Sequence, residues 1–511
     1  MSPKIITPEY HGYDFYGVST WKIDCGIAKF MGNIADNLTP QNYPNDVASK
    51  VSIAPIHKGR DKVYGGLAVP EWVINQKDPG SYIHVGRLMA EHIAQRATLG
   101  FPQVVLLQHE FGLESNWLNY SQDYFHLATA LRNRAEELKV KDEDLLILSY
   151  FHTVWEKIEA EYEKQERIGL KKLSEVSDGC IVMIPQAIDI LREFYEGISN
   201  AYHIDHGVRE LGIGKYDREE IKKEIGLEDS ILLLTMGYQG PDKGLEQALD
   251  AYSRLVTKSF TKNAREKVVY LIVGDCHEEF IDSEAYQKSL RDFIQSKGLI
   301  WGNSHYDLYG KLVIRESNNP NVINKGPKSC DVVFVRERVP EEKYKRYLAA
   351  SNIVVLAHQK EGQTSSGTVT DAVGAGRVII TTSFEHPLYL LGSRHKTRKQ
   401  ILTELTEKGY YGIDDPYAPG VMANIRQDYT EIMAGLMHRL ISDKELRIAK
   451  DQIASELAAK MYWRWVVGDI IKLVHHLRRQ KVTQRGRGPR IPLKAGSPYA
   501  DLENLLKKNN N

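Results

Sequence analysis

The segment EGQTSSGT (361–368) combines one carboxylate with small, hydroxyl-bearing residues and follows the apolar run NIVVLAHQK (352–360). If that run is a strand and VTDAVGAG (369–376) is a helix, the segment lies at a helix N-terminus, where free N–H groups and the helix dipole attract anions. A phosphate bound there would contact the backbone or hydroxyl groups of Gly362, Gln363, Thr364, Ser365, Ser366, Gly367 and Thr368. Serine and threonine are equally favoured in capped turns, so the segment alone leaves a phosphate site and a plain turn open.

A second segment of the same kind, MGYQGPDKGLEQALDAY (236–252), also reads as strand, loop and helix. Its glycines allow a ligand to approach the backbone closely. Lys243, at the start of the helix, could neutralise a pyrophosphate as a mobile point charge; a solvated lysine is the alternative. Two such loops in one half of the chain favour the phosphate-binding interpretation of both.

Polar side chains end two strand-like runs in the first half of the chain. QVVLLQHE (103–110) ends in His109 and Glu110, and LLILSYFH (145–152) ends in His152, with Thr153 next. Ligands of open α/β sheets bind at the carboxyl ends of the strands. A packed histidine is the alternative for each position, but several polar residues at several strand ends favour a binding site.

The elements that must position these residues follow an alternating pattern. Continuous apolar β-rich runs are separated by longer amphipathic stretches, which indicates a parallel, doubly wound sheet. The pattern restarts after the charged stretch 207–230, so we predict two Rossmann-like domains with a cleft between their sheets. The predicted strands are 13–20, 51–57, 103–110, 145–152, 179–184 and 201–207, then 230–237, 267–275, 331–335, 352–358 and 377–383.

Two segments of the chain lie outside the alternating pattern of strands and helices. Residues 299–330 are read as an insertion with local structure or a function of its own, since a loop of that length without structure is unusual. The C-terminal residues are basic: 478–511 carry nine Lys/Arg and two Asp/Glu. A solvated tail and contact with anionic lipid head groups are both open for them. The predicted parts are an N-terminal domain 1–210, a C-terminal domain 211–460, a helix 461–480 and an extended tail 481–511.

The composition excludes several classes of protein. The 511 residues contain 67 basic and 67 acidic side chains, so net charge does not indicate a nucleic acid partner. The four cysteines form no CxxC pair, which is typical of a reduced chain rather than a disulfide scaffold. The N-terminal segment lacks the apolar core of a signal peptide, and no run reaches the roughly 18 apolar residues of a membrane span. A cytoplasmic chain is expected, with membrane association through the tail left open.

Several segments resemble the retaining GT-B glycosyltransferases, specifically glycosyltransferase family 4. In the second half these are GPDKGLEQALDAY (240–252), VVYLIVGD (268–275), 347–376 and YWRWVVGDIIKLV (462–474). In the first half CGIAKF (25–30), QHEFG (108–112), FHTV (151–154) and HGV (206–208) resemble motifs of one branch of that family. The resemblance implies a GT-B fold with a C-terminal helix crossing back to the first domain. It also implies transfer of a sugar from a nucleoside diphosphate sugar to an acceptor hydroxyl with retention of configuration, and no bound metal or other cofactor.

The resemblance further implies roles for individual residues. His152 would lie near the reacting sugar, and Glu361, the first acid of the family's pair, near the donor sugar hydroxyls. The segment 362–368 and Lys243 would stabilise the leaving pyrophosphate. The phosphate-binding Arg that the family often has three residues before this lysine is Gly240 here, and Arg209 is a candidate to replace that cation. The acceptor side of the cleft would be formed by Cys25, Gly26 and Ile27, in the loop after the first strand, with His109, Glu110 and Thr153.

One departure from the family pattern concerns the second acid, which usually stands eight residues after the first. That position is Val369, and the helix pattern instead aligns Asp371 with it, two residues later. Two alternatives to a glycosyltransferase remain open. One is a sugar phosphorylase or nucleotide-sugar epimerase of the same fold, which Glu361, the loop and Lys243 would also suit. The other is a binding protein with a decayed site, which Gly240 and Val369 would fit. The acceptor could be a lipid, a protein, a polysaccharide or a small molecule.

Overall fold

The structure is a computed structural model. It describes residues 12–21, 26–57, 66–110, 122–154, 161–195, 197–211, 216–258, 268–276, 282–306, 311–336 and 339–484. The chain divides into two compact units. The first comprises Met1–Asp205 together with Trp463–Asn511, and the second comprises His206–Tyr462.

The first unit is built on one parallel sheet. Its described strands are β1 (Asp14–Thr20), β2 (Ser52–His57), β3 (Ile74–Asn75), β4 (Gln103–His109), β5 (Leu145–Phe151), β6 (Gly179–Val182) and β7 (Ala201–His203). They are ordered β3–β2–β1–β4–β5–β6–β7 across the sheet, and neighbouring strands are parallel. Every residue of β1, β4 and β5 is buried, as expected of continuous apolar strands in a parallel sheet.

The helices of the first unit connect these strands. Those described between β1 and β7 are α1 (Gly26–Asn37), α2 (Pro79–Thr98), α3 (Gln122–Glu137), α4 (Glu161–Val176) and α5 (Pro185–Phe194). The side chain of Asp78 caps α2 by accepting a hydrogen bond from the N–H of Gly80. Helix α1 follows β1 in the chain and begins at Gly26. The loop predicted for Gly26 and Ile27 is therefore wrong: both residues lie in the first turn of a helix.

The second unit contains a larger sheet. Its described strands are β8 (Ile231–Met236), β9 (Val268–Val273), β10 (Trp301–Tyr306), β11 (Leu312–Ser317), β12 (Val332–Val335), β13 (Ile353–Leu356), β14 (Ile379–Thr382), β15 (Tyr410–Tyr411) and β16 (Val421–Ala423). They are ordered β11–β10–β12–β9–β8–β13–β14–β16–β15. The pairs at the two edges, β10 with β11 and β15 with β16, are antiparallel, and the strands between them are parallel.

The helices of the second unit pack with this sheet into two large apolar clusters. The described helices are α6 (Arg218–Glu224), α7 (Leu245–Lys258), α8 (Ser283–Ser296), α9 (Glu341–Ala350), α10 (Gly367–Gly374), α11 (Glu385–Leu390), α12 (Arg398–Lys408), α13 (Thr430–Ser442) and α14 (Lys444–Lys460). One cluster includes Leu249 of α7, and the other includes Val369 of α10. Both contain strand residues, so the sheet separates two apolar layers.

The insertion at 299–330 forms a hairpin at one edge of this sheet. Strand β10 pairs with β12 in parallel and with β11 in the antiparallel sense. The N–H and carbonyl groups of Ile314 in β11 bond to Lys325 and Asn324, so the following segment covers part of the outer edge. A covered edge is protected against pairing with other chains. The insertion therefore has local structure of its own.

The C-terminal helix α15 (Trp463–Gln484) belongs to the first unit. The ring of Trp463 packs 4.8 Å from that of Phe30 in α1. Near the end of the helix, the buried Lys481 donates a hydrogen bond to the carbonyl of Leu145 and lies 2.9 Å from the carboxylate of Asp178. The helix therefore continues past residue 480 to Gln484, and the remainder of the predicted tail, 485–511, lies outside the described residues.

The predicted fold class is confirmed: the chain is α/β, with two sheets whose strands are mostly parallel. Continuous apolar runs in the sequence were sufficient to indicate both sheets. In the described ranges, no helix is both long and apolar enough to cross a lipid bilayer.

Candidate functional site

Two loops at strand ends of the second unit meet. Gly237 follows β8 with a φ of +113°, and a Cβ atom placed on it would lie 3.1 Å from Cγ2 of Thr368 in the first turn of α10. The N–H group of Gly237 donates to the carbonyl of Val273, which holds the loop on β9. The structure thus brings together the two segments that the sequence assigned separately to phosphate binding.

The N-terminus of α10 has backbone N–H groups that the helix itself does not bond. Ser366 precedes the helix in an extended conformation and makes no capping bond; its hydroxyl instead lies 3.1 Å from that of Thr368. The main-chain bond from Thr370 N–H to the carbonyl of Ser366 begins the helical ladder. The N–H groups of Gly367, Thr368 and Val369 therefore have no acceptor within the helix. Gly367 is exposed, and a Cβ there would have no atom within 4 Å, so there is room beside these donors.

Hydrogen bonds fix the loop that leads into α10. The amide of Gln363 donates to the carbonyl of Ser365 at 2.6 Å. The carbonyl groups of Glu361 and Gln363 accept from the N–H groups of Glu385 and His386 in α11. Thr364 and Ser366 are buried, whereas Gly362, Gln363 and Ser365 are partly exposed. The loop is therefore held on α11 by main-chain hydrogen bonds.

His358 supports this loop from below, and sequence reasoning did not identify it. Its ring stacks on Phe384 with centroids 5.0 Å apart, and its Nδ1 lies 3.3 Å from Oε1 of Gln363. Burial, with a further contribution from the positive charge of Lys243, lowers the pKa of His358 to about 3. The imidazole is therefore neutral. The sequence offered one signal for His358: it ends the predicted strand 352–358 and lies three residues before Glu361.

Lys243 is held in place by a close approach of two backbones. The next residue, Gly244, has a left-handed φ of +62°, and a Cβ there would overlap the carbonyl oxygen of Ala357. The carbonyl of Asp242 accepts from the N–H of Gln359 at 2.8 Å. The segment 240–244, called the lysine loop below, therefore lies directly on the segment between β13 and Glu361.

The charges around Lys243 are partly balanced. Its Nζ lies 3.2 Å from the Asp242 carboxylate, and Nζ of Lys360 lies 3.9 Å from the same group. Burial raises the pKa of Asp242, but the two ammonium groups outweigh burial and the net pKa is lowered. Asp242 is thus ionised, so two cations and one anion lie beside the loop.

Glu361 is paired with an arginine that the sequence analysis missed. Its Oε1 accepts hydrogen bonds from Nε and Nη2 of Arg426, which lies in the segment after β16. The side chains are 37% and 69% exposed, so the pair is accessible to a ligand. The N–H of Arg426 donates to Oδ1 of Asn424, which orients the segment. Sixty-five residues separate the two partners, and no local pattern connects them.

Arg209 and Asp371, which the sequence analysis assigned separately to the donor, form one ion pair. Nε of Arg209 donates to Oδ1 of Asp371 at 2.8 Å, and Nη2 donates to Oδ2 at 2.6 Å. The hydroxyl of Tyr344 in α9 also donates to Oδ2, at 2.9 Å. Burial lowers the pKa of Arg209, but the charge of Asp371 more than offsets burial and the net pKa is raised.

In the first unit, the strand-end residues form two contacts. Nε2 of His152 lies 2.8 Å from Oε1 of Gln108, and its ring packs 4.6 Å from that of Phe30. The hydroxyl of Thr153 donates to the carboxylate of Glu110 at 3.1 Å. Parallel pairing of β4 with β5 places these residues side by side. The strand-end positions therefore lie together, as parallel strands require.

The ring of His109 packs among aromatic side chains of the first unit. It is fully buried, and its ring packs against Tyr124 and Phe151. Burial lowers its pKa to about 4, so the ring is a neutral part of the core rather than the cleft residue that the sequence indicated. Of the remaining acceptor-side residues, Gly26 is exposed and Ile27 partly so, and Cys25 lies outside the described residues.

No family model and no curated protein matches the chain, but solved structures match along most of it. Sucrose-phosphate synthase from Thermosynechococcus elongatus has a TM-score of 0.60 at 13% identity, covering 92% of this chain and 100% of its own. Trehalose 6-phosphate synthase from Burkholderia multivorans has a TM-score of 0.58 at 11% identity, covering 94% and 100%. HepE from Anabaena, in complex with UDP and glucose, has a TM-score of 0.55 at 13% identity, covering 91% and 100%. At these identities the likeness shows the fold, which is GT-B.

Proposed function

We propose that this protein is a retaining glycosyltransferase that moves a hexosyl group from a nucleoside diphosphate sugar to an acceptor hydroxyl. The observation that carries the proposal is the meeting of the Gly237 loop with the first turn of α10. Free helix N–H groups lie at one end of the loop between β13 and α10. Lys243 and Lys360 lie near its other end, where the carbonyl of Asp242 accepts from the N–H of Gln359. A diphosphate carries the negative charge and the acceptor oxygens that such groups favour.

The chemistry would use these groups on the leaving diphosphate. As the bond between the sugar C1 and the diphosphate oxygen breaks, negative charge grows on that oxygen. Preformed N–H donors at Gly367, Thr368 and Val369, together with the Lys243 ammonium, would stabilise it without reorganisation. The acceptor oxygen bonds to C1 on the same face, and its proton passes to the departing diphosphate. The proposed reaction uses no bound metal or other cofactor.

Glu361 would bind the hydroxyl groups of the transferred sugar. A carboxylate accepts two or more hydrogen bonds from vicinal hydroxyls, and Arg426 holds Glu361 in one orientation. Because both side chains are exposed, their pairing is worth about 0–1 kcal/mol, and a sugar could take over some of its hydrogen bonds. Glu361 therefore contributes to the sugar step rather than to nucleotide affinity.

The strand ends of the first unit would bind the acceptor. His152 carries a ring nitrogen bonded to Gln108, which orients the imidazole toward one tautomer. Glu110 and Thr153 form a second polar contact beside it. We assign these three residues, with Gly26, Ile27 and Cys25, to acceptor positioning. His109 is left out of this assignment, because its ring packs against the aromatic rings of Tyr124 and Phe151.

The choice of nucleotide is the first experimental question. HepE was solved with UDP, with UDP and glucose, and with UDP-glucose, so uridine donors head the panel. The protein is incubated with UDP-, GDP- and ADP-sugars, with and without sugar acceptors, and nucleoside diphosphate release is measured. Release from one donor class, increased by an acceptor, supports the proposal. No release and no nucleotide binding would overturn it.

The same experiment separates the proposal from its alternatives. A phosphorylase would release a sugar phosphate when inorganic phosphate is added without nucleotide. An epimerase would convert the sugar nucleotide without releasing the diphosphate. The anomeric proton coupling in the NMR spectrum of the product reports whether configuration is retained.

A further inference from the structure

We propose that Asp371 is a positioning residue that fastens α10 to the first segment of the second unit (206–211), and that it does not contact the donor. The inference rests on the proposed function, because α10 carries the N–H groups assigned to the diphosphate. It reassigns the residue that the family pattern identifies as the second acid. It also gives Arg209 the role of holding Asp371 rather than of binding phosphate, and Tyr344 holds the same carboxylate.

The hydrogen bonds of the carboxylate support this assignment. A carboxylate has about four acceptor positions. Arg209 occupies two of them and the hydroxyl of Tyr344 a third. The side chains of Asp371 and Arg209 are 15% and 14% exposed. A ribose that needs two acceptors would have to break a buried, bidentate ion pair, which is among the stronger polar contacts in proteins.

Tyr344 is suited to remain a donor in this arrangement. Burial, together with the negative charge of Asp371, raises the pKa of Tyr344 far above its usual value, so the hydroxyl keeps its proton. The guanidinium of Arg209 also lies 5.3 Å from the centre of the Tyr344 ring. Glu341, in the first turn of α9, lies 3.3 Å from Nη1 of Arg209. Asp371 is thus held by two elements at once.

Backbone packing leads to the same conclusion. A Cβ on Gly374, in the last turn of α10, would lie 2.7 Å from the carbonyl oxygen of Arg209 and 2.8 Å from Cγ1 of Val208. The helix therefore rests directly on this segment. Val208 is fully buried in one cluster with Val369 and Val373, and its N–H donates to the carbonyl of Met461.

The consequence for the site is geometric. The last turn of α10 is seated on Val208 and Arg209, and its first turn lies against Gly237. The ion pair, between these two contacts, fixes the rotation of the helix about its axis. Loss of the pair would turn the N–H groups of Gly367 and Thr368 away from the diphosphate, and a misplacement of about 1 Å costs up to about 100-fold in a preorganised site.

The test compares two ligands in one set of variants. Calorimetry gives the Kd of inorganic pyrophosphate and of the nucleoside diphosphate that the parent binds best, for the parent, Asp371→Asn and the milder Tyr344→Phe. Positioning predicts that Asp371→Asn weakens both ligands by the same factor, about tenfold, and that Tyr344→Phe weakens both equally by about two- to threefold. A contact with ribose predicts a loss for the nucleoside diphosphate while pyrophosphate binding is unchanged.

A double-variant cycle makes the test independent of folding effects. Arg209→Gln and Asp371→Asn break the same ion pair, so the double variant should bind both ligands about as weakly as either single variant. Additive losses, unequal losses for the two ligands, or no loss at all would overturn the assignment. If the parent binds neither ligand, the proposed function fails, and the assignment fails with it. That outcome differs from unequal losses in a parent that binds both.

Discussion

Gly237 and Thr368 are 131 residues apart in the chain and in contact in the fold: a Cβ on the glycine would lie 3.1 Å from Cγ2 of the threonine. This contact joins the loop after β8 to the first turn of α10. Each loop alone is an ordinary turn. Together they bring the loop after β8 to helix N–H groups that have no acceptor within α10.

Lys243→Ala should weaken nucleoside diphosphate binding without unfolding the protein. The Lys243 side chain is 28% exposed and its ammonium pairs with the partly exposed Asp242, so its removal changes stability by less than about 1 kcal/mol. A charge-assisted contact to phosphate is worth roughly 10- to 100-fold in Kd. Calorimetry and thermal unfolding measure the two effects. The matched control is Lys288→Ala, on the exposed face of α8, and an equal loss of affinity in both variants would contradict the assignment of Lys243.

Gly244→Ala should destabilise the second unit. The residue has a left-handed φ of +62°, and an added methyl group would overlap the carbonyl of Ala357. We expect the free energy of unfolding to fall by about 2–4 kcal/mol, measured by urea denaturation. Gly326→Ala is the control, because its φ is −70° and a Cβ there has no atom within 4 Å. Equal stability of the two variants would show that the lysine loop is not held as described.

Glu361→Gln should reduce transfer far more than nucleotide affinity. The carboxylate is expected to contact the sugar and not the diphosphate, so kcat should fall about 100-fold while the Kd of the free nucleoside diphosphate changes less than about threefold. Arg426→Gln, which frees Glu361, should give a smaller loss of kcat. Arg439→Gln breaks a comparably exposed pair with Asp414 and should leave turnover unchanged. A Glu361→Gln enzyme with parental kcat would remove this residue from the sugar step.

Acid should destabilise the protein in part through His358 and His109. Burial, with Lys243 as a second cause for His358, lowers their pKa values to about 3 and about 4, from an ordinary value of 6.5. The unfolded state then binds protons that the folded state does not, so stability is full above about pH 6.5 and is lost as pH falls toward these values.

His358→Asn removes one of these groups. Between pH 6.5 and 4 its free energy of unfolding should fall less steeply than that of the parent, by up to about 1.4 kcal/mol per pH unit. Urea denaturation at pH 7 and pH 5 measures the difference. His84→Asn, at an exposed position of α2, is the control. Parallel pH profiles of the parent and His358→Asn would contradict a buried, neutral imidazole.

The sheets were predictable because their strands are continuous apolar runs. Such runs need no partner to be recognised, and parallel sheets buried on both faces require them. The runs at 103–110 and 145–152 became β4 and β5 with boundaries one residue shorter. Two-residue strands at the edge of a sheet have no continuous apolar run and were not predicted. Tyr410–Tyr411 is two residues long, and its pairing depends on β16 rather than on its own sequence.

The pairing of side chains in the site was not predictable. Phosphate-friendly loops follow from residue type and position after a strand, because helix N-termini bind anions through the backbone. The Arg209–Asp371 bond spans 162 residues, and nothing local distinguishes it from two separate ligand contacts. Arg426 follows a three-residue strand, so it offered no motif. His109 and His152 share the same strand-end position and are both buried. They differ in their partners, which tertiary packing decides: aromatic rings surround His109, whereas His152 also bonds to Gln108.

Calorimetric titration of the parent and of Lys243→Ala with UDP, GDP and ADP tests the central claim most directly. The account predicts that one of the three binds the parent at one site per chain, that Lys243→Ala binds it at least about tenfold more weakly, and that the matching sugar nucleotide is consumed. If none of the three binds the parent at millimolar concentration, the two loops are not a diphosphate site and the proposed function is wrong.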